Sequence, residues 1–315
     1  MKKIILTLAA AIFAVSIASA QDLASATDLY NSAVEQLTAG NKADAISTFK
    51  QALTAGEALG DEGAELVANC KNALPGVVLS LGTELYNEKN FDGALEKINE
   101  AKELATAYGV EDVTAKAEEL IPTITLSKNM NEATEAFQNK NFAKAAEGFK
   151  KVLELDNTNS AASLRLVQCL ASSGDFAGAE EALALAEANG QGDNAKKVIG
   201  GALLKNAAAS LKAGKYADAI EDAKNSVKYN ESANAYLIAG QASNKLNKNS
   251  EAISWYEKYL NADPNAKNAN AITYTVAALY QQAGNKAKAL SWYKKIAGDA
   301  KFGAQAKQQI EALSK

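Results

Sequence analysis

Seven times along the chain a short polar run closes on an alanine and continues as an amphipathic stripe. The runs read GNKADAISTFKQAL, KNFDGALEKINEAK, KNFAKAAEGFKKVL, GDFAGAEEALALAE, GKYADAIEDAKNSV, NKNSEAISWYEKYL and GNKAKALSWYKKIA. Their alanines fall at Ala45, Ala94, Ala145, Ala179, Ala219, Ala252 and Ala289, separated by 49, 51, 34, 40, 33 and 37 residues. The alanine and the residue four later (Phe49, Ile98, Phe149, Leu183, Tyr256, Tyr293) share one face, because i and i+4 stack on a helix. Ala52, Ala101 and Ala186 extend that stripe. Each run therefore predicts a short helix entered through a turn residue: Gly40, Gly174, Gly214, Gly284, or Asn or Lys in the others. Twelve positions before the alanine, on a preceding helix, stands a small residue: Ala33, Gly82, Ala133, Ala207, Gly240 and Ala277, with Val167 breaking the rule in the fourth run. Small facing large is what two closely packed antiparallel helices require.

The first two separations are about 15 residues longer than the basic period of about 34 that helical repeats favour. Their inserts, GDEGAELVANCKNALP and YGVEDVTAKAEELIP, run amphipathically and end in Leu74-Pro75 and Ile121-Pro122. They predict extra helical turns that lengthen or precede the first helix of the second and third repeats, since proline is tolerated in a first turn or at a kink. A shorter insertion, EANGQGDNAKKVIG, covers residues 187–200. Residues 303–315, with Ile310 and Leu313 on one face, predict a helix capping the last repeat.

Helix, turn, helix, seven times over, resembles the tetratricopeptide-repeat (TPR) family. The best single match is ANAYLIAGQASNKLNKNSEAISWYEKYLNADPNA, residues 233–266, where Tyr236, Gly240, Ala252, Tyr256 and Pro264 stand at the family's aromatic, glycine, alanine, aromatic and proline positions. The resemblance covers about 270 residues, and it implies an all-α fold: a right-handed α-solenoid of about seven units with extended helices in units two and three. The expected organisation is a signal peptide at 1–20, units one to three over 21–159, units four to seven over 160–302, and the capping helix over 303–315.

The N-terminus adds a destination. MKKIILTLAAAIFAVSIASAQ has two lysines, an apolar run from Ile4 to Ile17, and Ala18-Ser19-Ala20 in the pattern that signal peptidase accepts. This predicts cleavage between Ala20 and Gln21 and a periplasmic or secreted protein without a stable membrane anchor, since the run is shorter than the roughly 20 residues a bilayer needs. Losing Lys2 and Lys3 takes the 33 basic residues to 31 against 37 acidic ones, a net charge near −6. With Arg165 the only arginine, the surface is a poor match for a phosphate backbone, so no nucleic-acid partner is expected.

Candidate chemistry is sparse. The chain has no histidine, which removes the commonest general base and metal ligand. Cys70 and Cys169 each fall on an apolar face and read as small buried residues. Gly190, Gly192 and Ala195 satisfy a dinucleotide-binding pattern on paper but follow a helical stretch rather than a strand, and read as a loop. DNTNSA at 156 and DPNAKN at 263 lack the alternating acidic ligands and the glycine of a calcium loop. No catalytic residue, metal or cofactor is expected.

The TPR resemblance implies a groove lined by first helices that holds peptides or partner domains. Its positions here would include Arg165, Gln168, Lys205, Lys212, Asn234, Leu237, Gln241, Lys245, Tyr274 and Gln281. The family's two-carboxylate clamp needs lysine and asparagine four apart in one first helix, and none of the pairs Tyr30/Val34, Leu79/Thr83, Met130/Thr134, Leu164/Gln168, Leu204/Ala208, Leu237/Gln241 and Tyr274/Ala278 supplies it. Trp255 and Trp292 are secondary aromatic candidates, although packing against the neighbouring repeat accounts for them more simply. The expectation is a non-catalytic exported scaffold or adaptor that binds another protein or peptide, in envelope assembly or maintenance. The alternatives are a carbohydrate-binding envelope protein and a hydrolase working with carboxylates alone.

Overall fold

The computed structural model describes residues 20–315; the expected signal segment, apart from Ala20, lies outside the described residues. Among these there are fifteen α-helices and no strand. Seven antiparallel hairpins follow one another: α1 (Ala20–Thr38) with α2 (Lys42–Ala58), α3 (Ala64–Asn87) with α4 (Phe91–Tyr108), α5 (Glu111–Gln138) with α6 (Phe142–Leu155), and α7 (Ser160–Ser173) with α8 (Phe176–Ala188). Then come α9 (Gly192–Lys212) with α10 (Tyr216–Tyr229), α11 (Ala233–Lys245) with α12 (Asn249–Ala262), and α13 (Ala269–Gln282) with α14 (Lys286–Lys295). A single helix, α15 (Gly303–Ser314), packs on α14. The chain divides into two compact bodies, an N-terminal one ending at Lys128 and a C-terminal one beginning at Asn129. Within each body consecutive helices are neighbours, which is the α-solenoid arrangement.

The turns explain why each hairpin reverses where it does. All seven residues that open the runs have positive φ: +86° at Gly40, +85° at Gly174, +78° at Gly214 and +74° at Gly284, then +64°, +59° and +57° at Lys89, Lys140 and Asn247. The next residue donates its N–H to the carbonyl five positions back, as Asn41 to Gln36 (2.8 Å), Asn141 to Ala136 (2.9 Å) and Asn285 to Tyr280 (2.9 Å) do. That bond satisfies a carbonyl the helix end leaves open. The side chains of Asn90, Asn141, Asp175 and Asn285 then accept an N–H from the first turn of the second helix.

All seven alanines of the runs are fully buried, as are Phe49 and Ile98, with Phe149, Tyr256 and Tyr293 nearly so. Leu183 is only half-buried, so the fourth hairpin keeps the pattern least well, and Val167 fills the small residue's place inside the core. The close approach is literal: a Cβ on Gly240 would stand 2.7 Å from the Tyr256 ring, and one on Gly82 would stand 2.7 Å from Ile98. Glycine there lets the two helices of a hairpin meet across a large side chain.

The two long inserts lengthen first helices. α3 runs 24 residues straight through Pro75, and α5 runs 28 residues through Pro122. Leu66, Cys70 and Leu74 on the extension of α3 are buried in the core of the N-terminal body with Phe49, Ala101 and Val113. The third insert likewise lengthens α9 to 21 residues. The NGQGDNA stretch is not a loop throughout: Gly190 makes the turn at φ +73°, and helix α9 already begins at Gly192.

Candidate peptide-binding surface

On the C-terminal body, α9 and α11 are first helices of successive hairpins, and between them lies an open depression of about 390 Å³. Gly201, Leu204, Lys205 and Ala208 of α9 line one side, and Asn234, Leu237 and Ile238 of α11 line the other. Two adjacent glycines shape it. Gly200 is buried against Asn230 and the carbonyl of Ser226, whose hydroxyl donates to the Gly200 carbonyl (2.8 Å). Gly201 faces open space, so the missing side chain leaves the floor uncovered. The walls are carbon from Leu204, Leu237 and Ile238, with the Lys205 ammonium and the Asn234 amide exposed at the edge.

Of the ten residues expected in a groove, the structure brings Lys205, Asn234 and Leu237 together here. Lys212 and Lys245 are exposed in the last turns of α9 and α11, and Gln241 is half-buried one turn before Lys245. Arg165 and Gln168 occupy each other, with Nη1 donating to Oε1 at 2.9 Å, and the guanidinium lies 4.8 Å from the centre of the Phe137 ring. Tyr274 and Gln281 belong to the end of the stack. Tyr274 meets Tyr293 edge-on at 5.3 Å and Phe302 at 6.0 Å, while Gln281 accepts from the Tyr293 hydroxyl (2.9 Å) and donates to Gln309 of α15 (3.2 Å). Gly201, Leu204, Ala208 and Ile238 of the lining lie outside the ten expected groove residues; Leu204 and Ala208 enter the sequence reading only as a clamp pair that does not match, and the Gly200-Gly201 pair inside a helical stretch is the further signal.

The tryptophans pack rather than project. Trp255 stacks on Tyr236 (5.9 Å between ring centres, 23° apart) and packs with Ala223 and Val227 of the preceding hairpin. Lys258 covers it at 4.5 Å, and Lys295 lies 3.3 Å from the Trp292 ring centre. A second opening, on α2 around Ser47, Lys50 and Thr54, draws its lining from that one helix.

Reactive groups are held quiet. Burial pushes the Cys70 and Cys169 thiols up to about 11, so both stay protonated near neutral pH. Among the described residues no three His, Cys, Asp or Glu side chains gather as metal ligands. Asp222 is the carboxyl whose pKa is raised, mainly by burial and then by Glu221 and Asp218, against a hydrogen bond from Asn206 (2.8 Å). It sits on α10, outside the lining of the depression. Asp156 accepts from the Thr158 backbone and hydroxyl and from Asn159, which hold its pKa down, so DNTNSA is a hydrogen-bonded turn that leads into α7.

Family models described as tetratricopeptide repeat match residues 136–200 and 204–267. The chain is a tetratricopeptide-repeat protein. The two matched segments lie in the C-terminal body, and the second contains the run from 233 to 266. No curated protein matches the chain by sequence. Among solved structures it is similar to MamA protein (21% identity over 57% of this chain and 94% of that one, TM-score 0.33). It is also similar to YrrB, described as a TPR protein with an unusual peptide-binding site (20% identity, 57% and 90%, TM-score 0.30). A third is a tetratricopeptide repeat protein from Parabacteroides merdae ATCC 43184 (12% identity, 93% and 100%, TM-score 0.27). In TPR terms α9 and α11 are the first helices of units five and six, so the depression lies between two successive TPR units.

Proposed function

We propose that this TPR protein is a non-catalytic adaptor that holds a segment of another protein against the first helices of its C-terminal body, and that it does so after export, in the cell envelope. The observation that carries the binding role is the depression between α9 and α11, an apolar floor with an exposed cation and an exposed amide at its rim. Such a surface offers hydrophobic burial plus a few orienting polar groups, which suits a peptide side chain and its flanking backbone. The export role rests on the N-terminal pattern of residues 1–20.

Photo-cross-linking in cells tests both parts. The full chain, tagged at its C-terminus, carries a photoreactive amino acid at position 237 or, as a control, at 150. Cross-links to one envelope protein from position 237 and not from 150, on a chain whose N-terminus begins at Gln21, are expected. Equal cross-linking from both positions, or turnover of a substrate by the purified chain, would overturn the binding role; an uncleaved N-terminus on chain retained inside the cell would overturn export.

A further inference from the structure

The charge on the four first helices that lie wholly in the C-terminal body differs in sign from that of the whole chain. α7, α9, α11 and α13 together carry six cations, Arg165, Lys196, Lys197, Lys205, Lys212 and Lys245, against the single carboxylate Asp193. The chain as a whole is at −4. Acidic residues resume on α5, with Glu132 and Glu135, and on the second helices, as with Asp218, Glu221 and Asp222 on α10. Lys196 is paired with Glu187 (2.7 Å). Lys205, Lys212 and Lys245 have no carboxylate within pairing distance among the described residues.

We propose that this face takes an extended acidic peptide anchored by one aliphatic side chain, resting on the reading above that the surface holds a protein segment. The anchor enters the depression between Leu204, Leu237 and Ile238. The flanking carboxylates meet Lys205 and Lys212, which lie two turns apart on one side of α9, roughly 10 Å along its axis. A segment with polyproline II spacing presents every third side chain on one side at steps of about 9 Å, which matches that interval. Recognition needs no free C-terminus, because the lysine and asparagine pair of the carboxylate clamp is missing from every first helix. An unpaired cation at the rim of an apolar hollow, Lys205, and a second two turns along α9, Lys212, favour an acidic partner twice: they speed encounter, and they lose no existing ion pair when it docks.

The test is fluorescence anisotropy with the full chain and a labelled, C-terminally amidated Glu-Asp-Leu-Glu-Glu-Asp-Glu probe at low salt. Binding is expected to weaken about tenfold or more with Lys205→Glu combined with Lys212→Glu, to weaken with added salt, and to be unchanged by Lys150→Glu on α6. Replacing the probe's leucine by serine tests the anchor without touching the protein's fold and is expected to cost about tenfold. A probe with lysines in place of the acidic residues is expected to bind at least tenfold more weakly. Equal binding of that basic probe, or indifference to the double charge reversal, overturns the acidic assignment. If no probe binds while position 237 still cross-links one partner, the ligand class is wrong and the binding role stands; if neither is seen, both fail. Self-association of the chain that the same double variant abolishes would put a second copy in the hollow and would also overturn the peptide assignment.

Discussion

Lysines in the N-terminal body tie neighbouring helices together: Lys42 to Glu84 (2.5 Å), Lys50 to Glu100 (2.7 Å), Lys71 to Glu57 (3.0 Å) and Lys102 to Glu118 (3.0 Å). On α9 and α11 of the C-terminal body, Lys205, Lys212 and Lys245 reach no such partner. The cores differ as well. Phe49, Leu66, Leu74 and Val78 fill the first body, where the long α3 adds aliphatic surface, whereas Tyr236, Tyr256, Tyr259, Tyr280 and Tyr293 fill the end of the second. Several of those hydroxyls find partners, Tyr280 on Glu257 (2.8 Å) and Tyr293 on Gln281 (2.9 Å), as amphipathic rings near a surface must. One repeating phrase thus yields a body in which most lysines pair with carboxylates and another whose first helices leave Lys205, Lys212 and Lys245 unpaired.

Substitutions can break that comparison, and the largest effect is expected in the N-terminal core. Phe49→Ala removes a fully buried ring that meets Tyr30 edge-on at 5.3 Å, and should cost about 3–5 kcal/mol in urea unfolding. Gly240→Ala forces a methyl against the Tyr256 ring and should cost about 1–3 kcal/mol, showing that the C-terminal hairpins depend on close approach. A loss near zero would mean that the ring has room to move.

Lys140→Gly acts in the opposite direction. Lys140 holds φ +59° in a turn where four other repeats use glycine, so glycine should stabilise by about 1 kcal/mol, read as a rise in Tm. Smallest of all, Lys50→Gln removes an exposed ion pair to Glu100 and should cost about 0.5 kcal/mol, with most of that lost at high salt. A cost of several kcal/mol would show that the lysine–carboxylate pairs of the N-terminal body govern its stability.

The hairpins were legible because each rests on local terms: a turn residue with positive φ and a buried alanine in all seven, and in six of them a larger side chain one turn on. Even Lys89, Lys140 and Asn247 could be placed as turn residues, since the alanine five positions later fixes the register. The amphipathic insert announced extra helical turns that lengthen or precede a first helix, and of these two arrangements α3 adopts the first, running on through Pro75. Other features depend on partners distant in sequence, and no period announces them. Arg165 lies over Phe137 of α5, and Gln281 is held by Gln309, 28 residues later, so two positions expected in an open groove are occupied by the protein itself. The hollow between α9 and α11 owes its floor to Gly201, whose significance appears only once Leu237 and Ile238 stand opposite it.

The most direct measurement compares charge reversals on the two bodies in binding to the partner captured at position 237. Affinity of the purified full chain is measured for the wild type, for Lys205→Glu combined with Lys212→Glu, and for Lys50→Glu. A loss of about tenfold or more for the double variant, with Lys50→Glu within about twofold of wild type, is the expected result. Equal losses, or a loss confined to Lys50→Glu, would contradict the assignment of recognition to the first helices of the C-terminal body.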